Sequence, residues 1–91
     1  MENQDFPSLA QIKTIPAQDA IPLLNRYLLL HPKDEEAYIL RGMKYWSCNK
    51  RKEAIMDYIS AININPDSKA KMALQYAYSI LDYYNKDLLN P

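Results

Sequence analysis

Glycine, cysteine, histidine and phenylalanine each occur only once in these 91 residues. A lone glycine and a lone phenylalanine in a chain that is 48% hydrophobic suit an all-helical fold, and they rule out a glycine-rich phosphate loop. A single cysteine, Cys48, makes no intrachain disulfide, so the chain needs no oxidising compartment. Charge of one sign is also missing: 11 basic residues face 11 acidic ones. Without a basic excess, nucleic-acid binding loses its main electrostatic support. No apolar run exceeds the length of Tyr27–Leu30, far below the ~20 residues that span a bilayer. Met1–Ala10 has neither a positive start nor an apolar core of the kind a signal peptide needs. The expectation is a soluble, cytoplasmic protein with no membrane and no nucleic-acid partner.

The groups that carry chemistry are scarce too. His31 would need Asp34, Glu35 or Glu36 as metal co-ligands, but those acids are better placed to cap a helix, and a cation is favoured where His31 ends one. Cys48 lies near a predicted helix C-terminus, where the dipole works against a thiolate. Nucleophile elbow and HExxH motif are both absent, and nothing suggests that Asp82 and Asp87 converge. No catalytic residue, cofactor or metal site is assigned, and the chain is not expected to be an enzyme.

What is present is helical periodicity with helix punctuation. Ala20, Leu24, Tyr27 and Leu28 predict a helix over Ala17–His31, with Pro16 at its start and Pro22 near its first turn. Asp34, followed by Glu35 and Glu36, predicts the capped start of a helix reaching about Cys48, and Asn49 suits a left-handed turn after it. Lys50, Arg51 and Lys52 read as a basic loop before a helix over Glu53–Ile64. Ser68 repeats the capping position of Asp34, and Lys69–Tyr84 forms another helical pattern. One of its faces carries Met72, Tyr76, Ile80 and Tyr83, and another Ala73, Ala77 and Leu81. Met1–Pro7 reads as a loose start, Ser8–Thr14 as a marginal short helix, and Asn85–Pro91 as a tail.

The helix-ending prolines Pro32 and Pro66 stand 34 residues apart, the tetratricopeptide (TPR) period. Between them run Tyr38-x2-Arg41-Gly42-x2-Tyr45, then Ala54-x3-Tyr58, then Ala61 and Pro66. The stretch 35–68 therefore resembles a complete TPR repeat. Ala20 and Ile21, 34 residues before Ala54 and Ile55, make 1–34 resemble a degenerate repeat, with Tyr27 in place of the small Ala61. Residues 69–91 resemble a C-terminal capping helix and tail, similar to the ending of small Bacteroidetes-type TPR proteins. The resemblance implies an all-α, right-handed solenoid of antiparallel helical hairpins, about four to five helices in one domain. It implies that Gly42 and Ala54 mark a close helix crossing and that Tyr38, Tyr45 and Tyr58 fill the space around it. Arg41 stands where the motif has leucine, so its guanidinium is expected to reach the surface along a buried stem.

The function implied is a protein-protein interaction module, an adaptor or scaffold. Ile39, Met43 and Trp46 share one face of the 35–48 helix, the face that lines the concave groove in this family. Some family members place lysine and asparagine there to clamp a chaperone's terminal carboxylate. Ile39 and Met43 favour an apolar or amphipathic peptide instead. Two alternatives stay open: the chain's own ends cover that face, or the chain is a self-assembling structural subunit, such as a homodimer, with no separate peptide ligand.

Overall fold

In the computed structural model, which describes residues 6–89 and side chains over residues 6–82, five helices follow one another with no strand between them. They are α1 (Leu9–Lys13), α2 (Ala17–Leu30), α3 (Glu35–Ser47), α4 (Arg51–Ile64) and α5 (Ala70–Leu89). Local chemistry explains most of the boundaries. Ser8 and Gln11 form a reciprocal capping box on α1, so this short segment is helical. The Asp34 carboxylate accepts from the Ala37 N–H at 3.3 Å, and the Ser68 hydroxyl accepts from the Ala70 N–H at 3.0 Å. Asn49 takes the left-handed conformation, φ 66°, that lets the chain reverse between α3 and α4.

Two boundaries differ from the sequence reading, the start of α4 and the end of α5. Arg51 and Lys52 lie inside α4 and are not loop residues, because the turn closes as early as Asn49 and Lys50. Pro22 sits in the second turn of α2, where it gives up the single bond its N–H would have made to the Gln18 carbonyl; its ring is exposed. The last helix continues through Asn85–Leu89, the stretch read as a tail, and Asn90 and Pro91 lie outside the described residues, as do Met1–Asp5.

Pairings across the helices fix their directions. Glu35 at the start of α3 meets Asn65 just past α4, while Arg41 meets Asp57 in the middle of each, so α3 and α4 run antiparallel. This pair is the most extensively packed in the molecule. At its centre Gly42 lies so close to α4 that a Cβ there would stand 2.6 Å from the Tyr58 ring and 3.3 Å from the Ala54 carbonyl oxygen. The close crossing expected of Gly42 and Ala54 is therefore present, with Tyr58 filling the space over it. Tyr38 and Tyr45 pack at the edge of the same core.

Two apolar clusters stabilise the chain, and α3 supplies both. Ile39 belongs with Ala54, Tyr58, Ala61 and Ala70. Leu40, the next residue round the helix, belongs with Ile12, Ala20 and Leu24. The fully buried alanines at 20, 54 and 61 let the helix axes approach each other. Tyr27, where the repeat has Ala61, is too large for such a contact. It lies half-buried between His31 (4.5 Å) and Phe6 (6.4 Å), and its hydroxyl donates to Asp34 at 2.7 Å.

The Arg41 guanidinium reaches the surface on one side only, at the exposed Asn25, and is held by Asp57 on the other. Its Nε and Nη2 donate to the two carboxylate oxygens of Asp57, both at 2.8 Å, and Nη1 donates to Asn25 at 2.8 Å. The Tyr38 and Tyr45 rings flank it at 5.7 Å. Asp57 is only 4% exposed. A buried carboxylate is costly unless it is paired, and its partner across the hairpin is Arg41.

Candidate functional site

The site is a groove whose floor is one face of α3. Ile39, Leu40 and Met43 form that floor, Leu9, Ala10 and Lys13 of α1 one wall, and Ala73 of α5 with Lys69 just before it the other, with Glu36 at the rim. Its volume is about 560 Å³ and its lining is mostly apolar. Such a space, open to solvent and charged only at Lys13, Glu36 and Lys69 around an apolar floor, suits side chains of a peptide better than a polar metabolite.

Each wall has a definite anchor. On the α1 side, Lys44 reaches off α3 and its ammonium donates to the carbonyls of Lys13 (2.9 Å) and Ile15 (2.7 Å). The Lys13 carbonyl is one that a helix leaves without a partner at its C-terminal end, and Ile15 lies just past the C-cap Thr14, so one side chain both caps α1 and ties its exit to α3. On the α5 side, Ala70 is fully buried against the α3–α4 core and Ala73 is half-buried. Rim charges are modest. The Glu36–Lys69 pair, at 3.6 Å and largely exposed, contributes ~0–1 kcal/mol.

Of the three residues expected on this face, Ile39 and Met43 line the groove and Trp46 does not. Ile39 is 6% exposed and forms floor and core at once, whereas Met43 is 50% exposed and is the apolar side chain most open to a ligand. Trp46 lies one turn further on, where the Arg51 guanidinium covers its ring at 4.6 Å and Tyr76 stands 6.4 Å away. That places it at the meeting of α3, α4 and α5. The wall residues of α1 and α5 were not assigned from the sequence. Only the 34-residue spacing hinted at them, by giving Lys69 and Ala73 the same helical phase as Glu35 and Ile39.

Among the described residues, no group of three or more His, Cys, Asp or Glu side chains gathers as metal ligands. His31 is exposed and stacked on Tyr27, and Cys48 is a half-buried free thiol at the end of α3. The shifted ionisations lie outside the groove. Hydrogen bonding to Asp34 pushes the Tyr27 phenol up to about 12. Burial pushes the Asp57 carboxyl above its ordinary value, against the pull of Arg41, and also raises Tyr58. Arg41 is raised, chiefly by its hydrogen bonds to Asp57. These groups have structural partners, and none is aimed into the groove. Among the described residues no helix is long and apolar enough to cross a membrane. No family model, curated protein or solved structure matches the chain.

Proposed function

We propose that the chain is a TPR-like interaction module that binds an apolar or amphipathic peptide segment of a partner protein in the groove over α3. The observation that carries this reading is the groove itself: an apolar floor with Met43 half-exposed, between walls supplied by helices on either side. The solenoid reading is supported by the packing at Gly42, Ala54 and Tyr58, since a helical hairpin of that kind needs small and aromatic side chains at its close crossing. The absence of lysine and asparagine at positions 39 and 43 argues against a free carboxylate as the ligand. Few charges would be paired on binding, so capture should depend weakly on salt.

Panning a random peptide display library on the purified protein tests the reading. Enriched peptides should carry apolar side chains at regular spacing and should lose at least ~10-fold in affinity for Met43→Asp, the equivalent of about 1.4 kcal/mol. Met43 is half-exposed, so this variant should keep the helical circular dichroism of the wild type. Ile39 is unsuited to the test because truncating it would also open the core. If no peptide is enriched, or if the enriched peptides bind Met43→Asp unchanged, the groove is not a peptide site.

A further inference from the structure

Every residue of α3 after Glu35 has a counterpart 34 positions later on α5, so the two helices can be compared face by face. On α3, the face formed by Tyr38, Arg41, Gly42 and Tyr45 is the one that α4 covers, with Gly42 under Tyr58 and Arg41 clasping Asp57. The counterparts on α5 are Met72, Gln75, Tyr76 and Ser79. Among the described residues no helix lies across them, although the Tyr76 ring touches Trp46 of α3 at one edge (6.4 Å): Met72 is 74% exposed, Tyr76 61%, and Gln75 and Ser79 are exposed. The opposite face of α5 is the packed one, where Ala70 and Ala77 are buried and Ala73 and Leu74 half-buried.

The exchange of Gly42 for Tyr76 governs what can cover this face. α4 approaches α3 so closely that Gly42 has no room for a Cβ, and no helix can approach Tyr76 that way. A helix packing here must stand at the ordinary ~8–10 Å, with side chains interlocking. Met72, Tyr76 and Ser79 are spaced four and then three residues apart, as in a heptad seam, and Tyr83 continues the spacing in the sequence. This stripe is symmetric about a point between Ala77 and Tyr78. An antiparallel copy centred on that point places Tyr76 opposite the small Ser79 and Met72 opposite position 83. The flanking charges agree. Lys71 and Asp82 are both exposed and lie about three helical turns apart, hence on the same side of the seam. Antiparallel pairing keeps these flanks on one side and brings Lys71 of each copy within about two residues of Asp82 of the other, whereas parallel pairing puts the two copies' charges on opposite sides of the seam.

We propose that the outer face of α5 is a self-association surface on which a second copy of this chain docks, α5 antiparallel to α5, with Met72, Tyr76 and Ser79 in the seam. The contact is isologous and therefore closes at two copies. Neither Ala73 of α5 nor Lys69 just before it, which line the groove, is in the seam.

Sedimentation equilibrium of the purified chain, 10.6 kDa, across the micromolar range reads the proposal. The mass should double with concentration, and Met72→Asp should hold the chain at one copy with its helical dichroism retained. Lys71→Glu should weaken the dimer roughly 10-fold, since two symmetry-related attractions become repulsions. The double variant Lys71→Glu/Asp82→Lys should restore it. A chain that stays at one copy at every concentration overturns the proposal. So does a dimer that Met72→Asp leaves intact, or one that the charge exchange fails to restore. Peptide capture by the Met72→Asp variant, scored separately, keeps this outcome distinct from that of the groove.

Discussion

At Gly42 two effects of similar size oppose each other. Alanine in place of a mid-helix glycine gains about 1 kcal/mol of helix propensity, but its Cβ would meet the buried Tyr58 ring at 2.6 Å, and overpacking of that kind costs ~1–3 kcal/mol. Tyr58 is 4% exposed and has little room to retreat. Gly42→Ala should therefore lower stability by up to ~2 kcal/mol, and Gly42→Leu by more. Denaturant unfolding measures the difference, and an alanine variant as stable as the wild type would mean that the ring gives way. Arg41 and Asp57 pose a different problem. Their mutual contacts are good, but both are withdrawn from water, so the pair as a unit contributes little while each member alone is a liability. Asp57→Leu should cost up to ~3 kcal/mol by leaving Nε and Nη2 of the guanidinium without an acceptor, and Arg41→Met/Asp57→Leu should recover most of that loss. A double variant no more stable than Asp57→Leu would mean that the pair stabilises in its own right.

Between elements, the joint of α2 and α3 relies on a hydrogen bond where the joint of α3 and α4 relies on close packing. Tyr27 near the end of α2 donates to Asp34, the residue that also caps α3. The bond exists only while the phenol is protonated, which is why the phenol's pKa is raised from 10.0 to about 12. A raised pKa means that the contribution is complete below pH 10 and is lost as pH climbs through about 12. Tyr27→Phe should thus melt below the wild type at neutral pH, by about 1 kcal/mol for a bond of this kind. The gap should close as the solution approaches pH 12. Melts that differ equally at both ends of that range would assign the effect of Tyr27 to its ring. At this scale the sequence was readable wherever a single residue decides a boundary. Ser68, Asp34 and Asn49 take the roles their side chains suit. Arg51 was not readable, because a basic residue has no strong preference between loop and first turn. Its place in α4 comes with stacking on Trp46, a contact made across the hairpin.

Across the whole molecule, α3 is the common wall: Leu40 closes one cluster, Ile39 the other, and the groove is the space left above them between α1 and α5. Helical periodicity and the capping residues determined by themselves that the chain would be helical and where α2 and α3 would start, but not that α4 begins at Arg51 or that α5 runs on to Leu89. The repeat resemblance implied that Gly42 and Ala54 would meet. These features repeat at short range, and each depends on a few neighbouring residues. Tertiary structure alone decided which distant groups meet. Arg41 finds Asp57 sixteen residues away, and Lys44 finds the carbonyls of Lys13 and Ile15 about thirty residues away. It also decided which of the two apolar faces of α5 is buried, and that Trp46 is directed toward α5 and Arg51 and not into the groove. Periodicity gives the faces of a helix but not their occupants. The occupant depends on how close two axes come, and that distance is set by small residues on both helices at once.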